Sequence, residues 1–501
     1  MSEVKDTQEQ SKVEIAVENF GSIAKANIDL RPLTVFVGPS NTGKTYFATL
    51  VYALHGTFNE FSGSAMGPFI YPESIFDVLG KIIVDRKSTE KEIQEILKKL
   101  EMDDRPFKLS DLNIKVSDLS KEMTQQLGII TDNTEPTKEQ LDGELKNCFD
   151  MNSISELMRS VRNKRDEITI ILNFIENNQD SSFTRITVSD SGINLSRSRS
   201  LDTPSIEDRV ILPKGYSISS EFVDNNRITF TGFSMHLGTN RYYLPAARSG
   251  IMQSHRVIAT SLVKRSTRVG LERFPEVPTM SGVIADFMER IILYDDEIVP
   301  KDNMAHIAKT LENEVLFGQI LLKPSASGYP DFRYIPHDSN EEFRLSQSSS
   351  MVSELAPLVL YLRSLVKPGD TLIIEEPEAH LHPGAQADMA VILARLVRAG
   401  VRVIITTHSD WLLKEIGNLI RTGELEKAGV DVSELPTSLQ AEQVGIWHFQ
   451  KSGKVEEIAY NRIDGVEPLE YLDVAEDLYN RSARLQNRLE ELKDKSKIES
   501  E

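Results

Sequence analysis

A short apolar run, Leu33-Thr34-Val35-Phe36-Val37, leads directly into Gly38-Pro39-Ser40-Asn41-Thr42-Gly43-Lys44-Thr45, and Tyr46 to His55 then reads as a helix. No other stretch constrains the fold as strongly. It fits G-x-x-x-x-G-K-[ST] in full, and a strand before it with a helix after it is the context in which that pattern cradles phosphate. The residue types follow from the chemistry. Glycines let successive backbone N–H groups curl around an anion, and the helix N-terminus adds partial positive charge. Lys44 is expected to reach the β- and γ-phosphates, and the Thr45 hydroxyl to ligate Mg²⁺. The strand itself is a continuous apolar run of the kind buried on both faces.

A second stretch, DTLIIEEPEAHLHP at 370–383, raises a different question, because Leu372-Ile373-Ile374 ends in two adjacent carboxylates. Burying one unpaired charge is costly, and two neighbours also repel. A strand that simply reaches the surface would explain an isolated pair. Beside a phosphate loop the pair has a use: a parallel strand ending in one acid for magnesium and one to polarise the attacking water. Glu375 is expected in the metal role and Glu376 in the catalytic one, their side chains on opposite sides of an extended strand. A further apolar strand, Val403 to Thr407, ends in His408. Taken alone that histidine reads as an ordinary loop residue.

Taken together, these blocks resemble the ABC-type ATPase heads of the SMC, RecF and OLD group. The opening "ENFGSIAKANIDL…LTVFVGPSNTGKT" looks like the start of such heads, and "LIIEEPEAHLHP" with "IITTHS" looks like their acid strand, D-loop and H-loop. The likeness covers residues 13–56 and 345–415. It implies a P-loop NTPase of ABC type, α/β with a mixed sheet, ATP and Mg²⁺ as cofactors, a γ-phosphate contact at His408, and heads that pair as a homodimer or higher oligomer. In that family each ATP is completed by a signature segment of the partner head. The candidate here is Leu345 to Glu354, with Ser348, Ser349 and Ser350 at the start of a helix. A serine-rich cap with no role in trans is the alternative. The segment lacks the family's glycines, and Pro357 predicts a kink or a late helix start. Glu375 stands where most members carry aspartate, and His382 where the D-loop usually has an acid. Gln253 matches the family's magnesium-linked glutamine or is plain surface; Arg248 either contacts phosphate or structures its loop. Toprim nucleases of the OLD type carry a metal cluster after the head. Only about ninety residues follow His408, with no Asp-x-Asp on an apolar strand, so the chain is not expected to be a nuclease itself. Stand-alone heads of the PARIS and Septu anti-phage systems are similar, and they work beside a separate effector nuclease.

The rest of the chain divides by texture. Residues 1–56 form the start of the head, with a hairpin over 13–30. Residues 57–180 read as a mostly helical insertion, including SISELMRSVRNKRDEITIILNFIE, and 181–345 as a β-rich and helical middle part. Residues 346–465 hold the signature, acid strand, D-loop and H-loop; 466–501 read as a charged helix. An N-terminal antiparallel β lobe is expected. Alternation of helix and strand over 345–415 predicts a parallel sheet.

The formal charge of -19 argues against a protein that coats DNA globally. Local patches decide binding, however. Between Arg241 and Arg273 lie Arg248, Arg256, Lys264, Arg265 and Arg268, with Glu272 as the only acid. That run is either a solvated face or a DNA contact, the latter fitting a RecF-like role in repair. A nucleotide-sensing scaffold that holds an effector is a further alternative. The lone Cys148 excludes an intrachain disulfide, no apolar run is long enough to span a membrane, and the polar N-terminus is unlike a signal peptide. The expected location is the cytoplasm. Asn163 to Asp166 spells N-K-x-D, the guanine-reading pattern, but reads as part of a charged helix, so ATP is expected rather than GTP.

Overall fold

Alternate residues of the phosphate-loop strand, Leu33–Val37, enter different cores. Leu33, Val35 and Val37 pack into one, Phe36 into the other. The acid strand, Thr371–Glu375, and the histidine strand, Arg402–Thr407, split the same way: Leu372, Ile374, Val403 and Ile405 to one side, Ile373 and Ile404 to the other. This is the two-residue period of a strand with both faces covered, and it explains the unbroken apolar runs. One side is filled by the helices Ser350–Leu360, Pro383–Arg398 and Asp410–Lys427. The other takes the helix Lys44–Asn59 and the buried face of an antiparallel sheet.

This computed structural model describes residues 12–59, 138–161, 164–176, 180–198, 239–254, 280–295, 303–323, 330–466 and 469–498, with the short pieces 69–70, 107–108, 210–211 and residue 258. The central sheet has six strands in the order Arg241–Leu244, Thr371–Glu375, Arg402–Thr407, Leu33–Val37, Val444–Phe449, Val455–Glu457. All its pairings are parallel except the last. The fold is thus α/β with a mixed sheet, as the helix–strand alternation predicts. An antiparallel lobe of five strands flanks it, in the order Gly192–Ser198, Asp180–Ser189, Ile168–Glu176, Lys12–Phe20, Ile23–Asp29. The 13–30 hairpin is therefore real, turning at Gly21 and Ser22.

The described parts of 57–180, the span expected to be a mostly helical insertion, include strands as well as a helix. Lys138–Phe149 is a helix, burying Leu141, Leu145 and Cys148 on one face. Ile168–Glu176, however, is a strand, paired antiparallel to Lys12–Glu18. The sequence carries the reason: Ile168, Ile170 and Leu172 are buried while Ile171 and Asn173 are not, a period of two in a stretch rich in β-branched residues. The charges just upstream mask that alternation. Lys164–Arg165 is likewise a strand, in a two-stranded ribbon with Ser160–Val161, so the N-K-x-D stretch is no helix face; Asn163 lies outside the described residues. The segment 88–101, also read as helical, lies outside them too.

The late helix start expected from Pro357 does not occur. The helix begins at Ser350 and runs through Pro357, then widens to a π turn over Tyr361–Leu365. Pro357 has no N–H to give, so the helix lacks one bond to the carbonyl four residues before it. The charged C-terminal segment is a helix over Leu469–Ile498. Among the described residues no helix is long and apolar enough to cross a membrane.

Candidate active site

Three neighbouring parallel strands end level. Glu375 pairs in register with Thr406, and Thr407 with Val37. The phosphate loop, the acid pair and the histidine leave the carboxyl ends of these strands, the edge where open α/β sheets bind ligands. The histidine strand lies between the other two, so segments far apart in sequence meet at one edge.

The loop's shape depends on its glycines. Gly38 has φ +137°, and a Cβ there would sit 2.4 Å from the Phe449 carbonyl oxygen. Gly43 has φ +105°, with a Cβ 2.6 Å from Ile23 Cγ1. Asn41 adopts φ +64°, which asparagine tolerates better than most residues. Thr42 is buried and its hydroxyl donates to the Pro39 carbonyl at 2.8 Å, closing the loop on itself. Ser40 and Asn41 are exposed at its tip. Lys44 is buried and donates from Nζ to the carbonyls of Gly38 at 2.8 Å and Pro39 at 2.7 Å. Burial lowers its pKa to about 8, against the upward pull of Glu376 and Glu378. Among the described residues its hydrogen bonds go to carbonyls, which makes the buried cation a ready partner for an anion. Thr45 stands exposed in the first turn of the helix.

The acid pair departs from the extended geometry expected. Glu375 ends the strand and is buried; the Tyr243 hydroxyl donates to its Oε1, and the Ala246 N–H to Oε2 at 3.0 Å. Glu376 is half-buried and turns into the left-handed region, φ +44°. That conformation costs a non-glycine residue about 1–2 kcal/mol. Its N–H donates to the Thr406 carbonyl at 2.9 Å. The chain therefore swings out of the sheet between the two acids, and the left-handed turn rather than strand alternation aims Glu376. His408 is half-buried, its Nε2 3.9 Å from Glu376 Oε1. Burial, then the charge of Lys44, lowers its pKa, while Glu376 opposes both.

Two further acids escaped sequence reasoning. Glu378 is buried, and its Oε1 accepts from the Thr407 hydroxyl at 2.8 Å and the His408 N–H at 2.7 Å. It ties the acid turn to the histidine turn, and burial raises its pKa. Glu354 is buried inside the apolar stripe of the serine-led helix, forming a 3.1 Å ion pair with buried Arg248. An acid inside an otherwise apolar helix face is the signal that could have found it, since such a charge needs a partner.

The serines serve first as a helix start. Ser349 is the N-cap, its hydroxyl accepting from the Val352 N–H at 3.4 Å. Ser348 Oγ donates to the Arg344 carbonyl at 3.0 Å, and Ser350 is exposed at the first helical position. Gln253 is exposed and donates to Ser353 Oγ at 3.4 Å, which links it to this helix. His382 caps the next helix through Nδ1, accepting from the Gly384 N–H at 3.4 Å. Arg248 is committed to protein groups, which makes it a loop-structuring residue. Arg241 is equally committed: it pairs with Glu144 at 2.6 Å and lies 4.0 Å over the Tyr52 ring. Both arginines therefore drop out of the expected Arg241–Arg273 patch. Arg256, Lys264, Arg265, Arg268 and Arg273 lie outside the described residues.

The donor set fits a magnesium nucleotide. Among the described residues there is no cluster of three or more His, Cys, Asp or Glu that could hold a metal alone. Magnesium commonly binds one or two protein oxygens and completes its shell with phosphates and water. Thr45 and Glu375 would supply those oxygens; each Glu375 oxygen keeps acceptor capacity beyond its single donor.

The AAA ATPase domain family matches residues 12–413. Similar solved structures include an Smc head bound to the C-terminal winged-helix domain of ScpA, 14% identical, covering 89% of this chain and 96% of that one, with a TM-score of 0.35. A Pyrococcus furiosus Smc head with an extended coiled coil, bound to the ScpA C-terminal domain, is 13% identical over 95% of this chain and 100% of that one, TM-score 0.34. The Thermotoga maritima SMC head is 10% identical over 90% and 99%, TM-score 0.32. No curated protein matches the chain. The family match spans phosphate loop, acid strand and histidine strand alike, and the chain belongs to the AAA ATPase domain family.

Proposed function

We propose that this protein binds ATP with magnesium and hydrolyses it, and that paired heads close on the nucleotide. The observation that carries this reading is the meeting of Lys44, Glu376 and His408 at the ends of three adjacent parallel strands. Magnesium, when bound, offsets negative charge on the phosphates. Lys44 adds a buried positive charge to the same end, beside backbone N–H groups of the loop. Glu376 accepts a hydrogen from water and directs its oxygen at the γ-phosphorus; the bond to the β–γ bridging oxygen breaks, releasing ADP and phosphate. His408, neutral near pH 7, donates or accepts a hydrogen bond at the same end of the sheet.

In the paired state Ser348, Ser349 and Ser350 of one head face the triphosphate of the other, with the helix N-terminus supplying partial positive charge. The resemblance to stand-alone anti-phage heads supports a cytoplasmic role in defence beside a separate effector nuclease. A RecF-like DNA contact draws less support, because Arg241 and Arg248 are buried in ion pairs. Glu376→Gln tests the core of the proposal: it should keep ATP bound and sediment as a dimer with ATP, as a smaller species without it. A variant that hydrolyses at the wild-type rate would remove Glu376 from its role. Purification of the native complex tests the defence reading, which predicts a nuclease in fixed ratio and none in its absence.

A further inference from the structure

Arg248 makes an unusual set of contacts for an arginine so near a phosphate site. It is 1% exposed, and its neighbours are main-chain carbonyls and one acid. Nε donates to the Glu354 carbonyl at 3.0 Å and stands 3.1 Å from Glu354 Oε2. Nη1 donates to the carbonyls of Pro245 at 3.1 Å and Glu375 at 2.6 Å, and Nη2 to the carbonyl of Glu376 at 3.1 Å. One planar guanidinium thus holds the carbonyls of both acids in succession, across the bond where the chain turns left-handed at φ +44°.

We propose that Arg248, anchored by Glu354, is the positioning residue that holds the left-handed turn at Glu376 and so aims its carboxylate. The argument is geometric. A left-handed glutamate persists only where its surroundings over-determine it. The Thr406 carbonyl fixes the Glu376 N–H, and Arg248 fixes the carbonyl on either side of the turn. Glu354 keeps the guanidinium in place from the opposite direction, since a buried arginine without a counter-charge would be strongly disfavoured. Glu354 Oε1 also lies 3.9 Å from Nε2 of His380, another left-handed residue four positions beyond Glu376. The pair therefore links the serine-led helix to both ends of the acid turn. Among the described residues this network makes no contact with the phosphate loop, and it holds Glu375 by its carbonyl and not its carboxylate, so its loss should weaken catalysis far more than nucleotide binding.

The inference rests on Glu376 as the water-orienting acid, and the test separates the two. Lysine keeps the charge opposite Glu354 but lacks the planar fork that reaches two consecutive carbonyls. Arg248→Lys is expected to lower kcat about 30- to 300-fold, within the range general-base alignment commands, with KM and fluorescent-ATP affinity within about threefold. Combined with Glu376→Gln it should cause little further loss, because the two residues act as a unit. Equal losses in affinity and kcat, an unchanged kcat, or multiplicative losses in the double variant would each overturn the positioning role while leaving Glu376 in place. Wild-type turnover by Glu376→Gln alone would overturn both readings. If Arg248→Lys does not fold, Arg248→Gln with Glu354→Gln removes both charges together and carries the same expectation.

Discussion

His408 faces the acid turn at two points: its Nε2 lies 3.9 Å from Glu376 Oε1, and its main-chain N–H donates to Glu378 at 2.7 Å. The imidazole is thus held beside Glu376, the acid proposed to orient water, by a second acid that sequence reasoning passed over. Burial and Lys44 depress its pKa below 6.5, so the neutral ring dominates at pH 7. On acidification the ring gains a charge and pairs with Glu376, taking that carboxylate from water. Phosphate release should therefore fall as pH drops below about 6.5, the ordinary histidine value. His408→Gln should lower the plateau about 10- to 100-fold and remove the histidine part of the acid limb, as a rate profile from pH 5 to 8 would record.

Lys44 gives a prediction on the alkaline side. Its pKa is lowered from 10.5 to about 8, chiefly by burial. Phosphate favours the charged form, so nucleotide affinity should weaken as pH rises through about 8, and binding near that pH should take up a proton. Calorimetry in buffers of differing ionisation enthalpy measures both. Stability moves the other way for this group. Between about 8 and 10.5 the unfolded chain binds the extra proton, so this lysine's contribution to stability rises with pH across that window. Lys44→Ala should lose nucleotide affinity at every pH and flatten the dependence.

Tyr243 offers a test of Glu375. Its hydroxyl donates to a buried carboxylate oxygen that has no other donor among the contacts described. Tyr243→Phe should cost about 1–3 kcal/mol, the range for leaving a buried acceptor unsatisfied. Urea unfolding with and without ATP and magnesium would check it. Bound nucleotide should recover part of the loss if the metal claims the freed oxygen.

Arg241 separates structure from DNA binding. Its pair with Glu144 is mostly buried, with side chains 17% and 22% exposed. Arg241→Ala should destabilise the protein by about 2–4 kcal/mol, at or below the range for a fully buried pair. Loss of DNA affinity at full thermal stability would contradict this assignment.

The sequence announced the site better than it announced its supports. The phosphate loop, acid strand and histidine strand are legible because each couples an apolar run to a chemically specific terminus. Tertiary context decided the rest. Ile168–Glu176 looked helical because the charges before it swamped a clean two-residue alternation. The roles of Arg248 and Arg241 depended on partners 106 and 97 positions away, Glu354 and Glu144, which local pattern cannot supply. The left-handed turn at Glu376 was invisible, since glutamate carries no conformational signature of the kind glycine does.

The place of Ile168–Glu176 in the lobe bears on how freely this chain could have been remodelled in descent. It is the middle strand of the five, with Asp180–Ser189 on one side and Lys12–Phe20 on the other. A lineage that discarded 57–180 as a removable cassette would split the lobe into two hairpins with bare edges, beside the phosphate loop. Within 57–180, a change of length before Lys138 would spare both that strand and the helix Lys138–Phe149, so kindred proteins of quite different size should still share the strand's alternating apolar residues.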